Sequence, residues 1–161
     1  MAMKSYHGLM SKQTLFEFLI LEGAQAGLSW ITILKRRDGY RKAFSDFNVL
    51  KVSKYTQKHV EKLLKDTSII RNRLKINSAI NNAKQFLKIQ AEFGSFDKYL
   101  WGFVNHTQIK NKFKNLDDLP AFTEISEKLS TDLKKRGFNF VGPTICYALM
   151  QATGMVNDHT S

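Results

Sequence analysis

Glu22 is the residue whose type and position most need a chemical explanation. Leu15, Phe18 and Leu19 precede it by seven, four and three residues, so on a helix it shares their apolar face. A carboxylate on a core-facing stripe is costly to bury unless it is neutralised, hydrogen-bonded or turned towards a cavity where its charge is used. One reading makes Glu22 a functional acid. The other places it at a helix end beside Gly23, bonding backbone groups of the next turn, and spacing alone leaves both open. The run from Leu21 to Trp30 adds Gly23, Gly27 and a large aromatic at the junction with a second helix. Glycines let backbone approach a ligand closely, and Trp30 offers a face to an extruded base or a cationic ring. The competing account of Trp30 is an ordinary core tryptophan.

A second cluster runs Lys134-Lys135-Arg136-Gly137-Phe138-Asn139-Phe140-Val141-Gly142-Pro143-Thr144. It joins two helices by a short glycine-bounded turn, the pattern of a helix-hairpin-helix. Gly137 suits a left-handed helix cap, and Gly142 lets backbone approach a phosphate. The helix opening at Pro143 and Thr144 presents unpaired amide groups to an anion, with three cations alongside. Such an element positions duplex DNA without reading its bases. The alternative is a basic helix end followed by an ordinary tight turn.

The elements that hold these groups read as helices. Apolar residues recur at three and four rather than at two, and β-branched alternating runs are missing, so an all-α fold is expected. A first helix follows Ser11, and a second carries Ile31 to Leu34 with Ser29 as its cap. Tyr40, Phe44 and Phe47 form a cluster, and Val60, Leu63 and Leu64 follow a cap at Thr56. The longest helix carries Ile76, Ala79, Ile80, Ala83, Phe86 and Leu87 and closes near Gly94, with Ser95 capping the next. Asn105 to Asp118 is polar and non-periodic and reads as a loop ended by Pro120. Ile125, Leu129 and Leu133 mark a penultimate helix stopped by Gly137, and Pro143 opens a last one running towards Gly154. Residues 1–161 are expected to form one domain around one core, as a single helical bundle.

Charge points to a partner. The 25 Lys and Arg against 14 Asp and Glu give +11 and a pI near 9.8, which favours a polyanion: nucleic acid first, a membrane surface second, a merely basic protein third. The single cysteine, Cys146, excludes an internal disulfide framework and a multi-cysteine zinc ribbon. No run is long and apolar enough for a signal peptide or a membrane span, so a cytoplasmic monomer without a membrane partner is expected.

Four ordered blocks carry a resemblance. They are Leu21 through Trp30 to Arg37; Ile69-Ile70-Arg71-Asn72-Arg73-Leu74-Lys75-Ile76; Phe103-Val104-Asn105-His106 after Trp101; and Lys134 through Gly142, Cys146 and Tyr147 to Val156-Asn157-Asp158-His159. From about residue 13 onward the chain resembles the 3-methyladenine DNA glycosylase I family. The resemblance implies a helix-hairpin-helix DNA glycosylase fold, with hydrolysis of the bond between deoxyribose and 3-methyladenine in alkylated double-stranded DNA and no strand cleavage. Glu22 and Trp30 match the family's base-pocket residues. Asp158 falls loosely where related superfamily members place a catalytic aspartate, against the reading of a local cap or turn residue. His159 matches one zinc-ligand position of the family. Family members begin with a longer segment bearing a cysteine, a histidine and further pocket aromatics, and end with another cysteine. This sequence lacks those residues, so no cofactor and no zinc are expected. The competing function is a helix-hairpin-helix DNA-binding protein with impaired catalysis, and a third reading is a basic structural protein without a DNA role.

Overall fold

The structure, a computed structural model, describes residues 11–25, 30–113 and 123–160, and only the backbone of Trp30 and of residues 111–113 and 157–160. Helix α1 (Lys12–Gln25) opens where the Thr14 N–H donates to the Ser11 hydroxyl at 3.1 Å. Its apolar residues are not confined to one stripe, since Phe16, Ile20 and Leu21 are buried as well as Leu15, Phe18 and Leu19. An all-round apolar helix belongs at the centre of its fold, and that is where α1 lies.

Short helices α2 (Trp30–Lys35), α3 (Arg37–Ala43), α4 (Val49–Ser53) and α5 (Gln57–Leu63) follow, and then the 21-residue α6 (Arg73–Phe93). Asn72 caps α6 through the Lys75 N–H, and Gly94 at φ 90° ends it. Helix α6 packs on α1, α4, α5 and α7 (Phe96–Trp101). Phe86 anchors it, edge-on to Phe16 with ring centres 5.8 Å apart and stacked on Phe96 at 4.3 Å. Helices α8 (Glu124–Lys135) and α9 (Pro143–Ala152) then pack on each other.

Helices dominate, as the periodicity requires, but the segment read as a loop after Asn105 contains strand β1 (Ile109–Phe113). It pairs in parallel with β2 (Val156–Thr160), Ile109 opposite Val156 and Phe113 opposite Thr160. Its sequence, Ile-Lys-Asn-Lys-Phe, is apolar only at its ends and carries no alternating signal. The long connection that parallel pairing demands is supplied by α8 and α9.

Between α3 and α4 the chain turns through Ser45, Asp46 and Phe47 at φ 54°, 56° and 57°. Left-handed backbone costs roughly 1–2 kcal/mol per L-residue, so surrounding contacts must impose it. They do: the Ser45 hydroxyl meets the Tyr55 hydroxyl at 2.6 Å, Tyr55 donates to the Ala43 carbonyl at 2.9 Å, and Phe47 is buried. Among the described residues no helix is long and apolar enough to cross a membrane.

Candidate functional site

Glu22 lies in the last turn of α1 with only 7% of its surface exposed. No hydrogen bond or ion pair to its side chain is found among the described residues, and the turn where the helix-end reading would place its partners lies outside them. Burial pushes its carboxyl up to about 7. A buried acid with no partner among the described residues, its carboxyl raised to about 7, is an arrangement that stability does not favour and function can use.

The end of α1 is held from two sides. The Lys75 ammonium of α6 donates to the Ala24 carbonyl at 3.1 Å, placing a cation at the helix C-terminus. On another side, a Cβ built at Gly23 would sit 3.7 Å from that of Phe140, so α1 and the segment before α9 approach closely there. A cavity beside this junction is lined by Ile20, Gly23, Ala24, Ile76, Asn82 and Phe140. Its free space of about 20 Å³ admits a single water and is not the receptacle of a purine. Trp30 is the first residue of α2, and its side chain lies outside the described residues, as do Gly27 and Ser29.

The turn between α8 and α9 has the expected cap. Gly137 adopts φ 96°, its N–H donates to the Lys134 carbonyl at 3.0 Å, and the Phe138 N–H donates to the Leu133 carbonyl at 3.0 Å. This crossed pair closes a helix at a left-handed residue. Side chains of α6 then bind the turn. Asn81 donates to the Gly137 carbonyl at 2.6 Å, while Asn82 both donates to the Asn139 carbonyl and accepts from its N–H, each at 2.9 Å. Ser130 donates to the Val141 carbonyl at 2.6 Å. Lys134, Lys135 and Thr144 are exposed around this turn. Gly142, at φ −64°, caps α9, and a Cβ there would meet nothing within 4 Å. No protein atom therefore requires a glycine at that position.

Arg136 differs from its neighbours. Its guanidinium donates to Asp132 at 2.7 Å and to Glu92 at 3.2 Å, and lies 5.0 Å and 5.2 Å from the ring centres of Phe93 and Tyr99. These contacts fasten α8 onto α6 and α7, a role for Arg136 that the reading of it as a phosphate contact beside Lys134 and Lys135 did not include. Asp158 lies in β2 opposite Asn111, and His159 opposite Lys112; their side chains lie outside the described residues.

Cys146 is buried with its thiol 3.4 Å from the Val141 carbonyl, and burial pushes it up to about 12. As the only cysteine of the sequence, held neutral in the core, it does not fit a zinc thiolate site. Among the described residues no three His, Cys, Asp or Glu side chains gather as metal ligands.

Sequence reading missed Lys75 as the partner of α1, and Asn81 and Asn82 as the clamp on the turn. Asn82 carried a signal, an amide between Ala79 and Phe86 on the buried stripe of α6.

The chain is similar to known proteins over most of its length. The methyladenine glycosylase family matches residues 6–161. DNA-3-methyladenine glycosylase 1 of Escherichia coli is 48% identical over 90% of this chain and 78% of its own length. The DNA-3-methyladenine glycosylase of Haemophilus influenzae is 46% identical over 91% and 80%. A solved variant of 3-methyladenine DNA glycosylase I in complex with 3-methyladenine superposes with a TM-score of 0.90 at 35% identity, covering 96% of this chain and 83% of that one. The chain belongs to the methyladenine glycosylase family.

Proposed function

We propose that this protein hydrolyses the N-glycosidic bond of 3-methyladenine in alkylated double-stranded DNA, extruding the damaged base and leaving the strand uncut. The observation that carries this reading is Glu22, a buried carboxyl with no partner among the described residues and an acidity set near 7. An N3-alkylated adenine in DNA is cationic. When the bond from the sugar to N9 breaks, its electron pair cancels the ring's charge and water adds to the sugar carbon. The base departs neutral, so no acid has to protonate it, and the protein's main task is recognition. An anionic Glu22 rewards a positive purine over a neutral one, and the bound cation holds Glu22 ionised in return. Trp30 stacks on or walls the extruded base, as an aromatic face suits a cationic ring. Asp158 supplies the second carboxylate, near the sugar and its water.

Lys134, Lys135 and Thr144, with the open amide end of α9, hold the phosphate backbone. Gly137 shapes the turn, and Gly142 leaves space for a phosphate that a side chain would fill. The test is release of free 3-methyladenine from methylated duplex by the parent chain and by Glu22→Gln. Release by the parent and a large loss in the variant is the expected outcome. Duplex binding without release by the parent would instead identify a DNA-binding protein with impaired catalysis.

A further inference from the structure

Leu74 is 66% exposed in the first turn of α6, between Arg71, Arg73 and Lys75. A large apolar side chain in such a setting gains nothing from the protein's own core. Its place follows from helical spacing. At 100° per residue, Asn81 and Gln85 each fall within about 20° of Leu74 around α6. Asn81 holds the Gly137 carbonyl at 2.6 Å, and a Cβ at Gly137 would sit 3.3 Å from the Gln85 side chain. The turn between α8 and α9 thus rests on the same stripe from which Leu74 projects, about 10 Å further along the axis at 1.5 Å per residue. One residue on, Lys75 reaches the Ala24 carbonyl, two residues past Glu22. Leu74 is therefore level with the end of α1 that carries the acid, on the face that carries the proposed phosphate grip.

We propose that Leu74 is an apolar wedge that presses into the base stack of duplex DNA beside the extruded nucleotide; this rests on the function proposed above. Charge complementarity selects the occupant. Arg71 is exposed beside it, as is Arg73 in a solvent-exposed ion pair with Glu61, and the chain carries +11, so a polyanion is drawn to this rim, whereas an apolar protein partner would have to desolvate those cations. Extruding a base leaves a gap and unstacks its neighbours, and apolar side chains inserted between base steps stabilise that distorted state. Leu74 then acts as a positioning residue, without touching the damaged base.

The test uses the full chain with Leu74→Ala, a substitution at an exposed helical site that preserves helix propensity. The probe is a methylated duplex carrying 2-aminopurine next to the lesion. Parent protein should raise the 2-aminopurine fluorescence as the stack opens. In the variant that rise should shrink and single-turnover excision should slow by about tenfold, the worth of burying one leucine side chain. The loss should diminish when the lesion sits opposite a mismatch that already weakens the stack. Melting temperature and the salt dependence of duplex binding should not change. Parent-like fluorescence and excision in Leu74→Ala would overturn the wedge while leaving the glycosylase reading intact. A parent that releases no base, yet opens the stack through Leu74, would overturn that reading and keep the wedge.

Discussion

The end of α1 and the turn between α8 and α9 lie on neighbouring parts of α6 and treat polar groups in opposite ways. At the turn, Asn81, Asn82 and Ser130 meet the carbonyls of Gly137, Asn139 and Val141, and Asn82 also takes the Asn139 N–H. At Glu22, a carboxyl that could accept several bonds is buried with no such partner among the described residues. Satisfied polar groups fix a shape, whereas an unsatisfied one is left for something that arrives later. On the proposed function the turn serves geometry and the acid serves chemistry. Substitution should separate the two.

The sharpest separation comes from Glu22→Gln, which should move activity and stability in opposite directions. Losing a charge-assisted contact worth about 1.5–3 kcal/mol should slow excision of 3-methyladenine by roughly 10- to 150-fold in single-turnover kinetics. Stability follows the linkage sign. The folded-state value near 7 lies above the ordinary 4.5, so folding favours the protonated acid. That contribution is complete below about pH 4.5 and is lost as pH rises through 7. Over that window the parent should weaken relative to Glu22→Gln by about 3 kcal/mol, at 1.36 kcal/mol per pH unit. Urea unfolding of both proteins at pH 4.5 and pH 8 measures this, and parallel pH dependence would refute the buried acid.

Asn82→Ala should differ from Glu22→Gln by costing stability. It removes two bonds to backbone groups of the turn and should cost about 2–3 kcal/mol in the same unfolding assay. Excision should fall through a looser turn rather than through loss of selectivity for cationic bases. Next in size, a Lys134→Ala, Lys135→Ala pair should leave the fold intact and reduce the log–log salt slope of duplex binding by about 0.9 for each phosphate no longer neutralised. Arg136→Ala should leave that slope nearly unchanged and lower the melting temperature, because its charge is spent on Asp132 and Glu92. A full-sized slope change from Arg136 would return it to the interface. The smallest stability effect is expected from Gly142→Ala, within about 0.5 kcal/mol as for a surface substitution, since its Cβ meets nothing. Its duplex affinity should nonetheless drop.

Much of this was legible in the residues. Apolar spacing marked the long helices, and Ser11, Thr56, Ser95 and Gly137 sit at helix ends because capping chemistry is local. Glu22 announced itself by its position on an apolar stripe. What could not be read depends on partners distant in sequence. That Arg136 bridges from Asp132 to Glu92 rests on a partner 44 residues away. Strand β1 exists because β2 lies beside it, and the left-handed turn at Ser45–Phe47 because Tyr55 and a buried Phe47 impose it. Helix α2 meets the same limit: Ile31 and Leu34 are exposed while Ile33 faces the core, a difference that spacing within so short a helix does not decide.

Helix α6 also decides how the molecule can move. Lys75 ties it to α1 beside Glu22, and Asn81 and Asn82 tie it to the turn. Both attachments fall within eight consecutive residues of one uninterrupted helix, a span of about 10 Å. A helix of that length does not hinge, so these two regions keep a constant separation and neither can close over the other like a jaw. On the proposed function, bringing a base to Glu22 then calls for deformation of the DNA, and its flexibility at each sequence step becomes part of how fast a lesion is found.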